Sequence, residues 1–160
     1  MEQLNPADCV YIDESGIEES LCREYGRAQR GQKISGERTG KKAQRLSIIA
    51  GLNQKELVAP FYFKGYCDTE VLNSWLENIL LPCLKVGQTI IMDNASFHKS
   101  TKTKQLLENQ GCKLLFLPTY SPDLNPIEQQ WAILKARIRK LKTPQQPLED
   151  AIAQVFKQYG

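Results

Sequence analysis

The apolar segments of this chain come in an order that few folds accommodate. Cys9–Ile12 reads as a buried strand with Asp13 at its end, and Leu21–Gln29 as a second strand of mixed pattern. LSIIAGL (Leu46–Leu52) and LVAPFYF (Leu57–Phe63) read as two more, joined by the turn-like Asn53-Gln54-Lys55. Pro60 pushes the latter towards a sheet edge or a bulge, because proline has no N–H for a ladder. Gly31–Lys42 holds three glycines and no apolar run, so it reads as a loop. From there the pattern changes. Asp68–Leu81 places Val71, Leu72, Trp75, Ile79 and Leu80 at helical spacing, with Asp68 as N-cap and Pro82 as a stop. Thr89–Met92 is a short strand, Thr101–Gln110 a helix closed by Gly111, and Lys113–Leu117 another strand. Pro126–Leu141 carries a stripe of Ile127, Trp131, Leu134, Ile138 and Leu141, one face of a helix, and Leu148–Tyr159 reads as a last helix. Strands that cluster first and then alternate with helices predict an α/β fold, a mixed sheet with helices on its faces.

At 160 residues the chain is long enough for one domain with a real core. No apolar run approaches the roughly 20 residues of a membrane-spanning helix. MEQLNPADCV shows no basic stretch followed by an apolar one, so no signal peptide is expected. The five cysteines, Cys9, Cys22, Cys67, Cys83 and Cys112, are odd in number and widely spaced. With no C-x-x-C pair and a single histidine, His98, neither a zinc site nor a disulfide framework is expected. They read as reduced thiols, mostly core filler, in a cytoplasmic protein without membrane contact.

The net charge of +3 matters less than its distribution. Lys33, Arg38, Lys41, Lys42 and Arg45 cluster with only Glu37 opposing, and Lys135, Arg137, Arg139, Lys140 and Lys142 place five cations in eight residues. Such clusters suit a phosphate backbone, although solvated surfaces look the same in sequence.

Three acids lie where strands end or a helix begins: Asp13 in YIDES, Asp93 in IIMDNASFH and Glu128 in SPDLNPIEQQW, with 34 residues between the second and third. Side chains alternate along a strand, so Asp13 shares a face with Tyr11 and Asp93 with Ile91. If those strands are neighbours, both acids point to one side near the strand ends, where α/β sheets bind ligands. Each acid also has a purely structural reading. Asp13 suits a turn before Gly16, and Asp93-Asn94 suits a strand-to-loop turn. With Asn125 as N-cap and Pro126 at the first helical position, Glu128 suits a capping box. A shared site would face strong repulsion, since two carboxylates about 5 Å apart repel by roughly 3 kcal/mol at an effective dielectric of 20. It would need a proton or divalent cations, and hard oxygen donors favour Mg²⁺ or Mn²⁺.

YIDES, IIMDNASFH and YSPDLNPIEQQW together resemble the DDE transposases of the mariner superfamily, in particular its bacterial insertion-sequence branch. The 34-residue gap is similar to that branch as well. The resemblance covers almost the whole chain as a catalytic domain. It implies a ribonuclease-H-like fold with a mixed five-stranded sheet flanked by helices. It implies Asp13, Asp93 and Glu128 as a catalytic triad holding two Mg²⁺ or Mn²⁺ ions, supported by Glu14, Asn94, His98 and Asn125. For His98 the alternative is a surface histidine at a helix start. The implied activity is DNA cleavage and strand transfer at transposon ends and TA-containing targets, by a homodimer on paired ends in a bacterial, nucleoid-associated setting. Lys33, Arg38, Lys41, Lys42, Arg45, Lys135 and Arg139 are the candidate DNA contacts. Relatives carry helix-turn-helix modules before this domain, and only twelve residues precede Asp13. The chain is therefore expected to be a catalytic fragment, the second reading frame of a split element with an upstream-encoded helix-turn-helix partner chain, or a degenerate copy left as an inert fragment that binds DNA or a partner. A non-transposing nuclease on the same fold is a further alternative.

Overall fold

A computed structural model describes residues 4–18, 45–118 and 124–159. The expected strand Leu21–Gln29, the loop Gly31–Lys42 with Lys33, Arg38, Lys41 and Lys42, and Tyr120–Asp123 lie outside the described residues. The chain forms strands β1 (Cys9–Glu18), β2 (Arg45–Asn53) and β3 (Glu56–Lys64), then helix α1 (Thr69–Trp75) and strand β4 (Thr89–Met92). Helix α2 (Thr101–Asn109), strand β5 (Lys113–Phe116) and helices α3 (Ile127–Leu141) and α4 (Leu148–Phe156) follow. The five strands make one mixed sheet in the order β3-β2-β1-β4-β5. β1 runs antiparallel to β2 and parallel to β4, and β4 runs parallel to β5.

Helices cover both faces. On one, Ile127, Trp131, Leu134 and Ile138 of α3 and Leu148, Ile152 and Val155 of α4 pack against Ile17, Leu46, Ile48 and Leu52. On the other, Leu72, Trp75, Leu76, Leu80 and Leu107 pack against Val10, Ile12, Ile49, Ile90 and Met92. Full burial of each such side chain contributes about 1.5–3 kcal/mol, so the α3 stripe alone fixes that helix to the sheet. Leu141, the last residue of the expected stripe, is 39% exposed because the stripe has drifted off the core by then.

Several expected boundaries move. β1 does not end at Asp13. It continues through Glu14, Ser15 and Gly16, which pair with Ile49, Ile48 and Ser47 of β2. Backbone pairing with a buried neighbour overrides the weak strand preference of Asp-Glu-Ser-Gly, and the reading of Asp13 as a turn residue fails. Asp68 does cap α1, accepting from the Val71 N–H at 2.9 Å. The helix then widens into a π turn (Leu76–Leu80) and tightens into a 3₁₀ turn (Leu81–Cys83) that contains Pro82 instead of stopping before it. α3 starts at Ile127 with Pro126, not Asn125, in the capping position, and α4 ends in a 3₁₀ turn at Lys157–Tyr159. β5 ends at Phe116. Pro60 lies in the edge strand β3, where the ladder slips between Ile49 and Gly51. Of the four described cysteines, all free, Cys9 and Cys112 are buried, Cys67 is half-buried and Cys83 is exposed, so only two fill core.

Candidate active site

β1 and β4 lie side by side for three residues, ending at Tyr11 opposite Ile91. β4 stops one residue later, while β1 continues. Asp13 and Asp93 therefore sit two residues beyond the last parallel pair, on the α3 face by alternation. One carboxylate oxygen each from Asp13, Glu14 and Asp93 lies within 4.8 Å of the others. Glu14 enters this cluster although alternation directs it to the opposite face; its longer side chain reaches round the strand.

His98 explains how. It is fully buried in a 3₁₀ turn (Ser96–His98), so it is not a surface histidine. Its Nδ1 lies 2.8 Å from Asp93 Oδ1 and its Nε2 lies 3.4 Å from Glu14 Oε1. Burial alone would lower the histidine pKa. The hydrogen bond to Asp93 and the ion-pair contact and charge of Glu14 outweigh burial and raise it to about 10, which favours the charged ring between the two carboxylates. Asp93, half-exposed, is held below its ordinary pKa chiefly by His98 and also by the Ala95 N–H, which donates to Oδ1 at 3.1 Å.

Asp13 behaves in the opposite way. Burial first, then the charges of Glu14 and Glu128 and a hydrogen bond shared with Glu128, raise it to about 8, against a lowering backbone hydrogen bond at Glu14. Trp131 Nε1–H donates to Asp13 Oδ2 at 3.3 Å. α3 thus brings two groups to Asp13, the Glu128 carboxyl and the Trp131 indole. Glu128 is itself exposed and lies outside the three-oxygen cluster. Asn125 is buried and accepts from the Ile127 N–H at 3.2 Å, fixing the start of α3 and hence Glu128. Asn94 is exposed beside Asp93.

The donor set fits a hard divalent cation. All donors are carboxylate oxygens, and Glu14 Oε2 is buried without a hydrogen-bond partner among the described residues. The 4.8 Å spread is only slightly wider than the about 4.2 Å between opposite ligands of octahedral Mg²⁺. In such a site Asp13 would give up its proton to the solvent on metal binding.

Of the candidate cations, Lys135 is half-buried; burial and the charges of Arg139 and Arg45 lower its pKa, against the pull of Glu128 and Asp13. Arg139 is exposed on the same helix. Arg45 sits with its guanidinium 4.2 Å over the Tyr66 ring. A Cβ at Gly16 would fall 2.4 Å from that guanidinium, so glycine leaves the space Arg45 occupies. Sequence reasoning placed Trp131 in the core stripe and missed its bond to Asp13. It also missed Tyr66, and it ranked Glu14 as support where the structure puts it among the oxygens.

Residues 8–148 match the family model described as DDE superfamily endonuclease. The uncharacterized protein y4pE/y4sA of Sinorhizobium fredii is 34% identical over 71 residues, 44% of this chain and 50% of that protein. The transposable element Tcb2 transposase of Caenorhabditis briggsae is 33% identical over 79 residues, 47% of this chain and 29% of its own length. The chain thus spans half or less of these relatives. The crystal structure of the Mos1 mariner paired end complex with Mn superposes with a TM-score of 0.69 at 17% identity, over 98% of this chain and 49% of that one, which shows the shared ribonuclease-H-like fold. On the match of its family model over most of its length, the chain belongs to the DDE superfamily of endonucleases.

Proposed function

We propose that this domain cleaves DNA strands and transfers the freed 3′-hydroxyl to a target, the cut-and-paste chemistry of a transposase. The observation that carries it is the convergence of Asp13, Glu14 and Asp93 at the point where β4 leaves β1, with Glu128 brought to Asp13 by α3. Two Mg²⁺ or Mn²⁺ ions, when bound, would activate the attacking oxygen and stabilise the leaving one. The residues themselves do the positioning. Asp13 and Asp93 present their oxygens from adjacent strands, and Glu128 does so from the first turn of α3. His98 keeps Asp93 and Glu14 convergent. Lys135 and Arg139, seven and eleven residues beyond Glu128 on its helix, would lie along the phosphate backbone, which positions DNA without reading its sequence.

The Caenorhabditis relative is a transposable element transposase, and the Mos1 structure is a paired end complex. Both support transposon-end DNA as substrate. A homodimer that brings two ends together and a TA step as target complete the proposal. The motif resemblance favours the bacterial insertion-sequence branch, and with it a nucleoid location. A helix-turn-helix chain would be the partner that reads the terminal repeats.

The test is a gel assay with labelled transposon-end duplex, target plasmid and Mn²⁺. Nicking followed by joined product is expected, with both lost in Asp93→Asn. Nicking without joining would replace this reading by that of a non-transposing nuclease, and neither product by that of an inert fragment.

A further inference from the structure

At the C-terminal ends of β4 and β5, on the sheet face covered by α1 and α2, there is a cavity of about 320 Å³. It is lined by Asn94, Lys99, Ser100, Lys104, Leu114 and Phe116. Asn94 directly follows Asp93 in sequence, so the cavity lies round the end of β4 from the carboxylates, on the opposite face of the sheet. Its floor is apolar: Leu114 and Phe116 project from β5 towards the α1–α2 core and are only partly covered by it. Its lining carries two lysines, Lys99 and Lys104, and no carboxylate among the described residues. Lys99 Nζ stands 5.7 Å from the centre of the Phe116 ring. Ser100 caps α2 by accepting from the Thr103 N–H at 3.1 Å, and Thr103 is tied to Asn73 of α1 at 2.6 Å. The wall that carries Lys99 and Lys104 is therefore anchored to the core.

An aromatic floor with the Lys99 ammonium above it and a second lysine in the lining is complementary to a flat heterocycle attached to a phosphate. In a duplex both faces of a base are already covered by its neighbours; only an unpaired base can offer a face to Phe116. We propose that this cavity is a subsite for one unpaired nucleotide of the DNA strand held at the carboxylates. Its base lies against Phe116 and Leu114, and its phosphate lies between Lys99 and Lys104. The proposal rests on the DNA-processing reading above and deepens it: the domain prefers an end whose strands are locally separated. Stacking on Phe116 is tolerant of base identity, so the subsite selects for an unpaired base and not for a sequence.

The test uses the whole chain without divalent metal, so that no DNA is cut. Two duplexes are compared by anisotropy at several salt concentrations, one blunt and one with a single-nucleotide overhang of 2-aminopurine, whose fluorescence is quenched by stacking. The overhang duplex is expected to bind about tenfold more tightly than the blunt one and to lose fluorescence. Lys99→Ala with Lys104→Ala should abolish that preference and reduce the salt slope by about two. Phe116→Leu, checked for an unchanged thermal midpoint, should restore the fluorescence; if that variant does not fold, Lys104→Ala alone at its exposed position carries the test. Lys135→Ala with Arg139→Ala should weaken both duplexes equally. Equal binding of the two duplexes, or an unchanged preference in the lysine variants, overturns the subsite while the DNA reading stands. Binding of neither duplex by the native chain overturns both.

Discussion

Buried beside Glu14, Glu128 and the Trp131 indole, the Asp13 carboxyl keeps its proton to about pH 8 when no cation is bound. It holds that proton more tightly folded than unfolded, where its ordinary value is 3.8. Its contribution to stability is therefore complete below about pH 3.8 and is lost as pH rises towards 8. In chelator-treated protein the midpoint of urea unfolding should fall between pH 5 and 8, and Asp13→Asn should flatten this slope. A native slope unchanged by the substitution would show that Asp13 is not the group responsible. What was legible at this scale is the meeting of Asp13 and Asp93, which alternation along two neighbouring strands places on one face. The role of Glu14 was not. Alternation along β1 assigns it to the wrong face, and only the buried imidazolium of His98 shows that its side chain turns back. Nor does a stripe of apolar residues reveal that one of them, Trp131, also donates a hydrogen bond.

Among the elements, β4 and α3 were the most legible. β4 is a run of β-branched and apolar residues buried on both faces, and α3 repeats its apolar positions at helical spacing over four turns. Leu134, fully buried at the centre of that stripe, should cost about 2–5 kcal/mol when replaced by alanine. Its neighbour Ile133, 45% exposed, should change stability by no more than about 0.5 kcal/mol under the same substitution. Urea unfolding of the two variants checks the pair, and equal losses would contradict the observed orientation of α3. The length of β1 was not legible. Its second half holds Asp, Glu, Ser and Gly, and what makes it a strand is the ladder with β2, a partner far along the chain. The π and 3₁₀ turns after α1 have no local signature either, beyond a proline that denies the helix one N–H.

The described residues form a sheet between two helical layers, and the carboxylates stand at the end of β4 beside β1, in the middle of that sheet. Metal binding to the folded state alone should therefore stabilise the entire domain. Mn²⁺ at ten times its dissociation constant adds about 1.4 kcal/mol, roughly 3–6 °C at this size. Differential scanning fluorimetry should show that rise in the native chain and not in Asp93→Asn, and a rise of equal size in both would place the ion elsewhere.

The bond from Trp131 to Asp13 joins residues 118 apart in sequence. All five described strands precede Trp131, so a chain released just after β5 already contains every described strand of the sheet. It lacks both groups that α3 brings to Asp13. Under the proposed chemistry, premature termination yields a silent product and not a stray cutter of the host chromosome.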